Sequence, residues 1–285
     1  MAEPIRVTVL RGDTVESAHR VHAVAVRDGQ VVASAGDPDL VTFMRSAAKP
    51  IQALPLSRAR EDLDDRDLAI ASASHLADDA QLEAVRALLA KGPATEDDLE
   101  CGLFEGSKLK HNCSGKHAGM LALCRAEGWP TEGYRLLEHR CQQAALAEVE
   151  RLAGTDEIAT AVDGCGVVTF ALPLTKIAIA FGGVEGRVAD AMRAHPELIR
   201  GPRAADTNLM QAFPGWIAKG GAEALICAAS PDGLSLALKV EDGTQRALRP
   251  ALGTFLNELG LDGSAFGPTP VGNSRNEVVG EIRAG

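Results

Sequence analysis

Ser46 and Lys49 are residues whose types and spacing could do chemistry together. Side chains three positions apart at a helix start lie on one face, with about 5–6 Å between Cβ atoms, so a lysine amine can act on a serine hydroxyl. Pro50 follows directly, and a helix accepts proline in its first turn, where the missing N–H is not needed. We therefore predict a helix over 46–58 that begins near Ser46, where free N–H groups favour a developing anion.

A Ser-x-x-Lys pattern at a helix start is used for acyl transfer by the penicillin-recognising enzymes. Attack on an amide carbonyl needs a nucleophile, a base, an acid for the leaving nitrogen and donors for the oxyanion. Lys49 can be the base only when its amine is neutral, although a free lysine has a pKa of about 10.4. Its surroundings must therefore lower that pKa by burial or by a second cation.

The elements that must position these residues are strands at both ends of the chain and helices between them. Alternating apolar residues predict strands over 5–10, 21–26 and 234–240. A short apolar run over 68–74 predicts a buried strand that ends at Ser74. Strands at both ends that bracket helical segments predict an α/β (α+β) fold with a mainly antiparallel sheet.

The composition favours a protein that acts on a small molecule. The 285 residues are 46% hydrophobic, enough for the core of one large domain or of two closely packed ones. Aromatic residues are only 4% of the chain, which serves base stacking poorly, and the net charge of -10 repels phosphate backbones and anionic membranes. We therefore expect neither a nucleic acid nor a membrane as a partner.

The sequence also predicts a cytoplasmic protein. The N-terminal residues lack the apolar core of a signal peptide, and no apolar run approaches the ~20 residues that span a bilayer. The six cysteines are then expected to be reduced, either buried as small hydrophobic side chains or used as metal ligands.

Two cysteines lie at positions that could serve more than packing. The segment 111–128 predicts a helix with Ser114 as its N-cap, which places Cys113 and Lys116 at the helix entrance. Cys165 lies in a glycine-flanked corner, and such corners often hold functional backbone conformations. Spacing alone favours buried thiols, or a thiolate paired with Lys116, over a metal, because structural zinc centres usually have four Cys or His ligands.

Several motifs occur in a fixed order along the chain. They are Ser17-Ala18-His19-Arg20-Val21-His22-Ala23, Arg45-Ser46-Ala47-Ala48-Lys49-Pro50, Ala73-Ser74-His75, Asn112-Cys113-Ser114-Gly115-Lys116-His117-Ala118-Gly119-Met120, Asp163-Gly164-Cys165 and Leu238-Lys239-Val240-Glu241-Asp242-Gly243. Together they resemble the thermolabile, rhizobial-type L-asparaginase II family, from about residue 17 to about residue 280. The run that begins at Asn112 is the most specific part.

This resemblance implies a serine β-lactamase-like or glutaminase-like fold. It implies a single domain over residues 1–285 and allows a helical subregion near 75–200. The implied reaction is the hydrolysis of L-asparagine to L-aspartate and ammonia through an acyl-enzyme, and the implied assembly is a homodimer.

The resemblance further implies two Ser-Lys pairs and one zinc ion. The matching positions for the pairs are Ser46 with Lys49, and Ser74 with Lys239. The matching zinc ligands are Cys113, Lys116 and Cys165. Three protein ligands would leave a fourth position open to water or substrate.

Chemical reasoning assigns roles within such a site. We predict that Ser46 is acylated and that Lys49 is its base. Lys239 would supply the cation that lowers the pKa of Lys49, and Ser74 would relay a proton between Lys239 and the departing nitrogen. The alternative makes Ser74 the nucleophile.

Four further residues are candidates for binding the α-carboxylate and α-ammonium groups of the substrate. Arg45 could pair with the carboxylate, and Asp163 could accept from the ammonium. His75 and His117 are predicted either to bond to the substrate or to orient neighbouring groups.

Two alternative functions stay open at this point. Related amidases, glutaminases and lactamase-like hydrolases share the Ser-Lys machinery, and their selectivity lies in pocket shape. Leu76-Ala77-Asp78 stands where the family usually has small and acidic residues, so selectivity is less secure than the reaction class. In the other alternative, the chain is a non-catalytic, thiol-rich metal-binding or redox protein, and Ser46 and Lys49 are ordinary helix residues.

Overall fold

The computed structural model describes residues 2–285 of the chain. The strands are β1 (Ile5–Arg11), β2 (Thr14–Arg27), β3 (Gln30–Ala35), β4 (Val41–Phe43), β5 (Ala159–Val162), β6 (Val168–Pro173), β7 (Ile217–Gly221), β8 (Leu225–Ala229), β9 (Leu234–Val240), β10 (Thr269–Gly272) and β11 (Val278–Ala284). The helices are α1 (Lys49–Ala59), α2 (Asp65–Ala71), α3 (Asp79–Lys91), α4 (Ser114–Ala126), α5 (Arg140–Ala153), α6 (Leu174–Gly182), α7 (Gly186–Ala194), α8 (Pro196–Ile199), α9 (Ala205–Ala212) and α10 (Leu248–Glu258). None of these helices is both long enough and apolar enough to cross a membrane.

The strands form one large and one small antiparallel sheet. The large sheet has eight strands, seven of them in the order β10-β11-β1-β2-β9-β8-β7, and β3 pairs with β2. The small sheet has the order β4-β6-β5. The predicted fold class, an α/β (α+β) fold with a mainly antiparallel sheet packed with helices, is confirmed. The single-domain boundary and the helical subregion near 75–200 stay predictions.

Three neighbouring strands at one side of the large sheet, β7, β8 and β9, are buried along their whole length. Helix α6 packs on β8 and β9, and α9 packs on β7 and β8. Covered strands of this kind consist of nearly continuous apolar residues, so a lysine within one of them costs free energy unless it finds polar partners. Lys219 on β7 and Lys239 on β9 are two such lysines.

The predicted strand over 68–74 is wrong, because this part of the chain is helix α2 and the turn that follows it. A reciprocal capping box starts the helix: Asp64 accepts from the Asp67 N–H at 3.1 Å, and Asp67 accepts from the Asp64 N–H at 2.9 Å. Five of the seven helical residues are buried. An apolar run buried on all sides lacks the periodicity that distinguishes a helix from a strand.

Two predicted helix starts are shifted by a few residues. Arg45–Ala48 forms a 3-10 turn, so α1 begins at Lys49 rather than near Ser46, with the proline in its first turn as predicted. Helix α4 begins at Ser114, and its N-cap is Cys113. Both shifts leave the candidate side chains at the helix entrances.

Candidate functional site

Ser74 lies at the centre of a buried cluster of polar groups. It follows α2, and its N–H donates to the Ile199 carbonyl at 2.7 Å. Its Oγ is 2.9 Å from Lys49 Nζ and 2.9 Å from Lys219 Nζ. Ser74 is only 2% exposed and both lysines are 0% exposed. Two amines therefore meet at one enclosed hydroxyl.

Lys49 reaches this hydroxyl from the first turn of α1. Its Nζ also donates to the Ala73 carbonyl at 2.6 Å. Burial lowers the pKa of Lys49 below its ordinary value, although the negative charge of Cys113 opposes the effect. A lysine in this position can lose its proton far more readily than a free one.

Ser46 precedes this lysine in the 3-10 turn and is partly exposed. Its carbonyl accepts from the Lys49 N–H. The Lys49 amine donates to the Ser74 hydroxyl. In the described residues it makes no hydrogen bond to the Ser46 hydroxyl. Ser46 thus lies three residues before Lys49 at the entrance of α1, and it is more exposed than Ser74.

Lys219 is the second lysine of the cluster. It lies on the edge strand β7, and its Nζ donates to the Gly220 carbonyl at 2.8 Å. Burial lowers the pKa of Lys219 to about 7, although the charge of Asp206, 3.7 Å away, opposes the effect. Asp206 is fixed in turn, because it accepts from the Gly220 N–H at 2.9 Å.

The predicted pair of Ser74 with Lys239 is wrong, because Lys219 occupies that place. Lys239 lies on β9, opposite Leu225 of β8, and its ammonium donates to the Val240 carbonyl. Neighbouring strands are about 4.8 Å apart, so β9 lies roughly 10 Å from β7. The sequence did carry a signal for Lys219, because this lysine stands in a short apolar segment, after Ile217-Ala218 and before Gly220-Gly221.

The three predicted zinc ligands lie together beside this cluster. Lys116 Nζ is 3.1 Å from Cys165 Sγ. A hydrogen bond from the Cys165 thiol, helped by the positive charges of Lys49 and Lys116, lowers the pKa of Cys113 well below its ordinary value. Burial lowers the pKa of Lys116, but the neighbouring sulfur atoms of Cys165 and Cys113 outweigh burial and raise it overall. The thiols and the amine form one contiguous group.

The chemistry of these donors fits zinc. Thiolate sulfur is a preferred ligand of Zn²⁺, and an amine can bind once it has lost its proton. The described residues hold no group of three His, Cys, Asp or Glu side chains that could bind a metal. The predicted third donor, Lys116, is a lysine and does not belong to these four residue types.

Arg45 and Asp163, the predicted partners of the substrate's charged groups, pair with each other. Arg45 Nε donates to Asp163 Oδ1 at 2.5 Å. Arg45 has φ 49°, a left-handed conformation that costs a non-glycine residue about 1 kcal/mol or more. Its N–H donates to Thr169 Oγ1 at 3.0 Å, which helps to hold that conformation. Arg45 directly precedes Ser46 in the chain, and Asp163 lies two residues before Cys165. The pair therefore connects the segment that carries Ser46 to the segment that carries the Cys165 thiol.

His75 is a neutral residue that orients its neighbours. Its Nε2 donates to Ser114 Oγ at 2.8 Å, because that hydroxyl donates onward to the Leu109 carbonyl, and its Nδ1 accepts from the Ala77 N–H at 3.1 Å. Burial, with a smaller contribution from the charge of Lys49, lowers the pKa of His75 to about 4. The ring therefore ties the Ser74 turn to the start of α4. Substrate binding by His75 stays a prediction.

His117 is buried deeper in α4. Its Nδ1 is 2.7 Å from the Tyr134 hydroxyl, and its Nε2 has no partner in the described part of the chain. Burial lowers the pKa of His117 well below its ordinary value, so this ring is also neutral. Its contact with Tyr134 matches the neighbour-orienting role, while a contact with substrate stays a prediction.

Comparison with known proteins gives a family match over nearly the whole chain. The L-asparaginase II family profile matches residues 7–284, nearly the whole chain. No curated protein matches the sequence. Among solved structures, a β-lactamase from Mycobacterium bovis is similar, with a TM-score of 0.42 and 13% identity over 85% of this chain and 95% of that one. At that TM-score the resemblance adds nothing to the assignment of a mechanism.

Proposed function

Because the chain belongs to the L-asparaginase II family, and is thus an asparaginase-type hydrolase, we propose that it hydrolyses L-asparagine to L-aspartate and ammonia. The observation that carries this proposal is the buried chain Lys49–Ser74–Lys219 beside the partly exposed Ser46. Such a chain can move a proton from a nucleophile to a leaving nitrogen, which is what amide hydrolysis needs.

The proposed reaction has two halves. In the first, the Ser46 hydroxyl attacks the side-chain amide carbonyl, and its proton passes through Lys49 and Ser74 to the nitrogen as the C–N bond breaks. Ammonia leaves and an ester remains on Ser46. In the second, water attacks the ester, its proton returns through the same chain to Ser46, and L-aspartate leaves. Lys219 holds the Ser74 hydroxyl in place through a hydrogen bond and can exchange a proton with it.

The choice of Ser46 over Ser74 rests on access. An acylated serine must contact the substrate carbonyl, and Ser46 is the more exposed of the two hydroxyls. The contact of both amines with Ser74 favours a second candidate, in which Ser74 itself is acylated. Mass spectrometry of the trapped acyl-enzyme distinguishes them, because the ester is found on the peptide of one serine only.

Ammonia release is the assay for substrate class. We expect turnover of L-asparagine to exceed that of L-glutamine and of simple amides. Preference for glutamine would replace the asparaginase proposal with the glutaminase alternative. Absence of turnover with every amide would favour the thiol-rich metal-binding or redox protein. A homodimer and a cytoplasmic location stay predictions, and sedimentation tests the first of them.

The Arg45–Asp163 pair provides a binding site for the substrate's head group. A zwitterion can exchange one ion pair for two, its carboxylate binding Arg45 and its ammonium binding Asp163. We expect Asp163→Asn to raise KM for L-asparagine about tenfold or more, because a hydrogen bond to a charged group contributes about 1.5–3 kcal/mol. Succinamate, which lacks the ammonium, should show no such loss. Steady-state kinetics with both substrates measures the difference.

Asp232→Asn is the matched control for this variant. It removes another carboxylate from an arginine pair, with Arg27 at 3.1 Å, on an exposed loop. Its KM should equal that of the parent. Equal losses for asparagine and succinamate in Asp163→Asn would contradict a role in binding the ammonium.

Cys113, Cys165 and Lys116 would hold a zinc ion in this function. Bound zinc would supply a positive charge and an open coordination position toward the substrate's head group. We expect about one zinc per chain in the parent protein and less than about one tenth of that in Cys113→Ser, since a site with three protein ligands loses most of its affinity with one thiolate. Elemental analysis of the purified proteins measures the content.

Cys227→Ala serves as the control for zinc content. It removes a buried thiol on β8 that lies outside the group. Lys116→Met tests whether Lys116 is a ligand. Zinc content should fall if the amine binds the metal, and it should stay at the parent value if Lys116 only forms an ion pair with a thiolate. Equal zinc in the parent, Cys113→Ser and Lys116→Met would exclude this site.

A further inference from the structure

A cavity of about 430 Å³ lies beside β7, and two of its wall residues, Asp206 and Gly220, also contact Lys219 of the Ser74 cluster. Its walls come from the loop before α9, from Gly220 and Gly221, and from the start of α10. Four arginines line it: Arg200, Arg203, Arg246 and Arg249. This concentration of positive charge is unusual in a chain with a net charge of -10.

None of the four arginines pairs with a carboxylate in the described residues. Arg249 is held by neutral groups, since it donates to Asn208 Oδ1 at 2.8 Å and lies 5.2 Å from the centre of the Phe266 ring. Arg246 donates to Ser17 Oγ at 2.9 Å and to His19 Nε2 at 3.2 Å. Within residues 2–285, neither arginine contacts an acidic side chain directly; the carboxylate of Asp242 lies on the far side of the His19 ring, 2.6 Å from His19 Nδ1.

The one carboxylate in the wall does not neutralise these arginines. Asp206 accepts from the N–H groups of Gly220 and Thr207, at 2.9 Å and 3.0 Å, and it lies 3.7 Å from Lys219. Its negative charge thus faces Lys219, on the side of the Ser74 cluster. The cavity keeps a strongly positive lining.

The size and the remaining lining define the occupant. A volume of 430 Å³ lies in the range of small-molecule sites and exceeds the space that one oxyanion needs. Leu76, Ile226 and Leu248 supply apolar surface for a carbon skeleton. Guanidinium groups match carboxylate and phosphate oxygens in pairs.

We propose that this cavity binds a small organic anion that carries at least two negative charges on carboxylate or phosphate groups. The single α-carboxylate of an asparagine molecule engages at most one or two guanidiniums, so four arginines fit a dianion better. None of the four arginines belongs to the proposed catalytic chain Lys49–Ser74–Lys219, so this proposal does not depend on the proposed function.

Isothermal titration calorimetry of the full chain tests the proposal with succinate, glycerol 3-phosphate and inorganic phosphate as probes. We expect at least one of the two organic dianions to bind with one-to-one stoichiometry and more tightly than inorganic phosphate. Butyrate, a monoanion of similar size, should bind about tenfold more weakly or worse. Comparison of succinate with glycerol 3-phosphate assigns the carboxylate or the phosphate class.

Arg200→Gln with Arg203→Gln is the decisive variant, because neither side chain has a recorded hydrogen-bond partner in residues 2–285 whose loss would disturb the fold. Dianion affinity should fall about tenfold or more in this double variant. It should stay at the parent value in Arg86→Gln with Arg140→Gln, which removes two exposed charges outside the cavity, and in Arg45→Gln. An equal loss in either control, tight butyrate binding or no binding of any dianion would overturn the proposal.

Discussion

Ser46→Ala is expected to lower the rate of asparagine hydrolysis by about 10³-fold or more, because the loss of a nucleophile removes the covalent route altogether. The cluster of Lys49, Ser74 and Lys219 would remain intact, since none of its hydrogen bonds involves the Ser46 hydroxyl. Substrate binding and thermal stability should change little. Ammonia release, substrate affinity and a melting curve measure the three properties.

Ser57→Ala is the control for Ser46→Ala. It removes a half-buried hydroxyl on α1 whose only recorded bond is to the Leu54 carbonyl at 2.8 Å, and activity should be retained. Ser74→Ala should also be slow, because the proton path is broken in both halves of the reaction, and any ester that forms in this variant should lie on Ser46. Full activity of Ser46→Ala, or ester on Ser74 in the parent, would contradict the assignment of Ser46.

Lys219→Met is expected to lower kcat by about 10²–10⁴-fold, the range for loss of acid-base catalysis. It should also change the pH profile. The relay can accept the Ser46 proton only when one of its amines is neutral, and the Lys219 amine becomes neutral as pH rises through its pKa of about 7. Activity of the parent should therefore rise through about pH 7 and be lost as pH falls below it. The pH profile of Lys219→Met should lack this rise in activity near pH 7.

Lys239→Met is the matched control, because it removes another lysine from a buried strand of the same sheet. Its pH profile should keep the rise near pH 7, since its ammonium bonds to the Val240 carbonyl and not to Ser74. Circular dichroism and melting curves of both variants separate loss of activity from loss of fold. A Lys219→Met enzyme that retains the rise near pH 7 would remove Lys219 from the proton path.

The sequence predicted the members of the site better than their partners. Ser46 and Lys49 are three residues apart in the chain, so a local pattern sufficed to relate them, whereas the grouping of Cys113, Lys116 and Cys165 came from the family resemblance. The second lysine depends on strand order. Both Lys219 and Lys239 lie in apolar strands, and only the position of β7 at the sheet edge, next to α9, brings Lys219 to Ser74. Strand order in an antiparallel sheet is a long-range property that local spacing does not encode.

Asp206 illustrates the same limit. No motif marks it, because its role comes from the contact of α9 with β7, where it meets Lys219 and the Gly220 N–H. The strand predicted over 68–74 was wrong for a different reason, since burial on all sides removed the periodicity of α2. Ser74 nonetheless contacts Lys49, and a hydrogen bond from its N–H to the Ile199 carbonyl helps to hold it there.

The enclosure of Ser74 also affects the timing of the reaction. Ser74 is 2% exposed and both flanking lysines are 0% exposed, so a leaving nitrogen in the proposed reaction would reach the relay only when the surrounding chain opens. Ammonia must escape by the same passage. In the proposed reaction, the frequency of this opening would therefore set an upper limit on catalytic cycles per second, however fast the bonds themselves break, and bulk water would be excluded between openings.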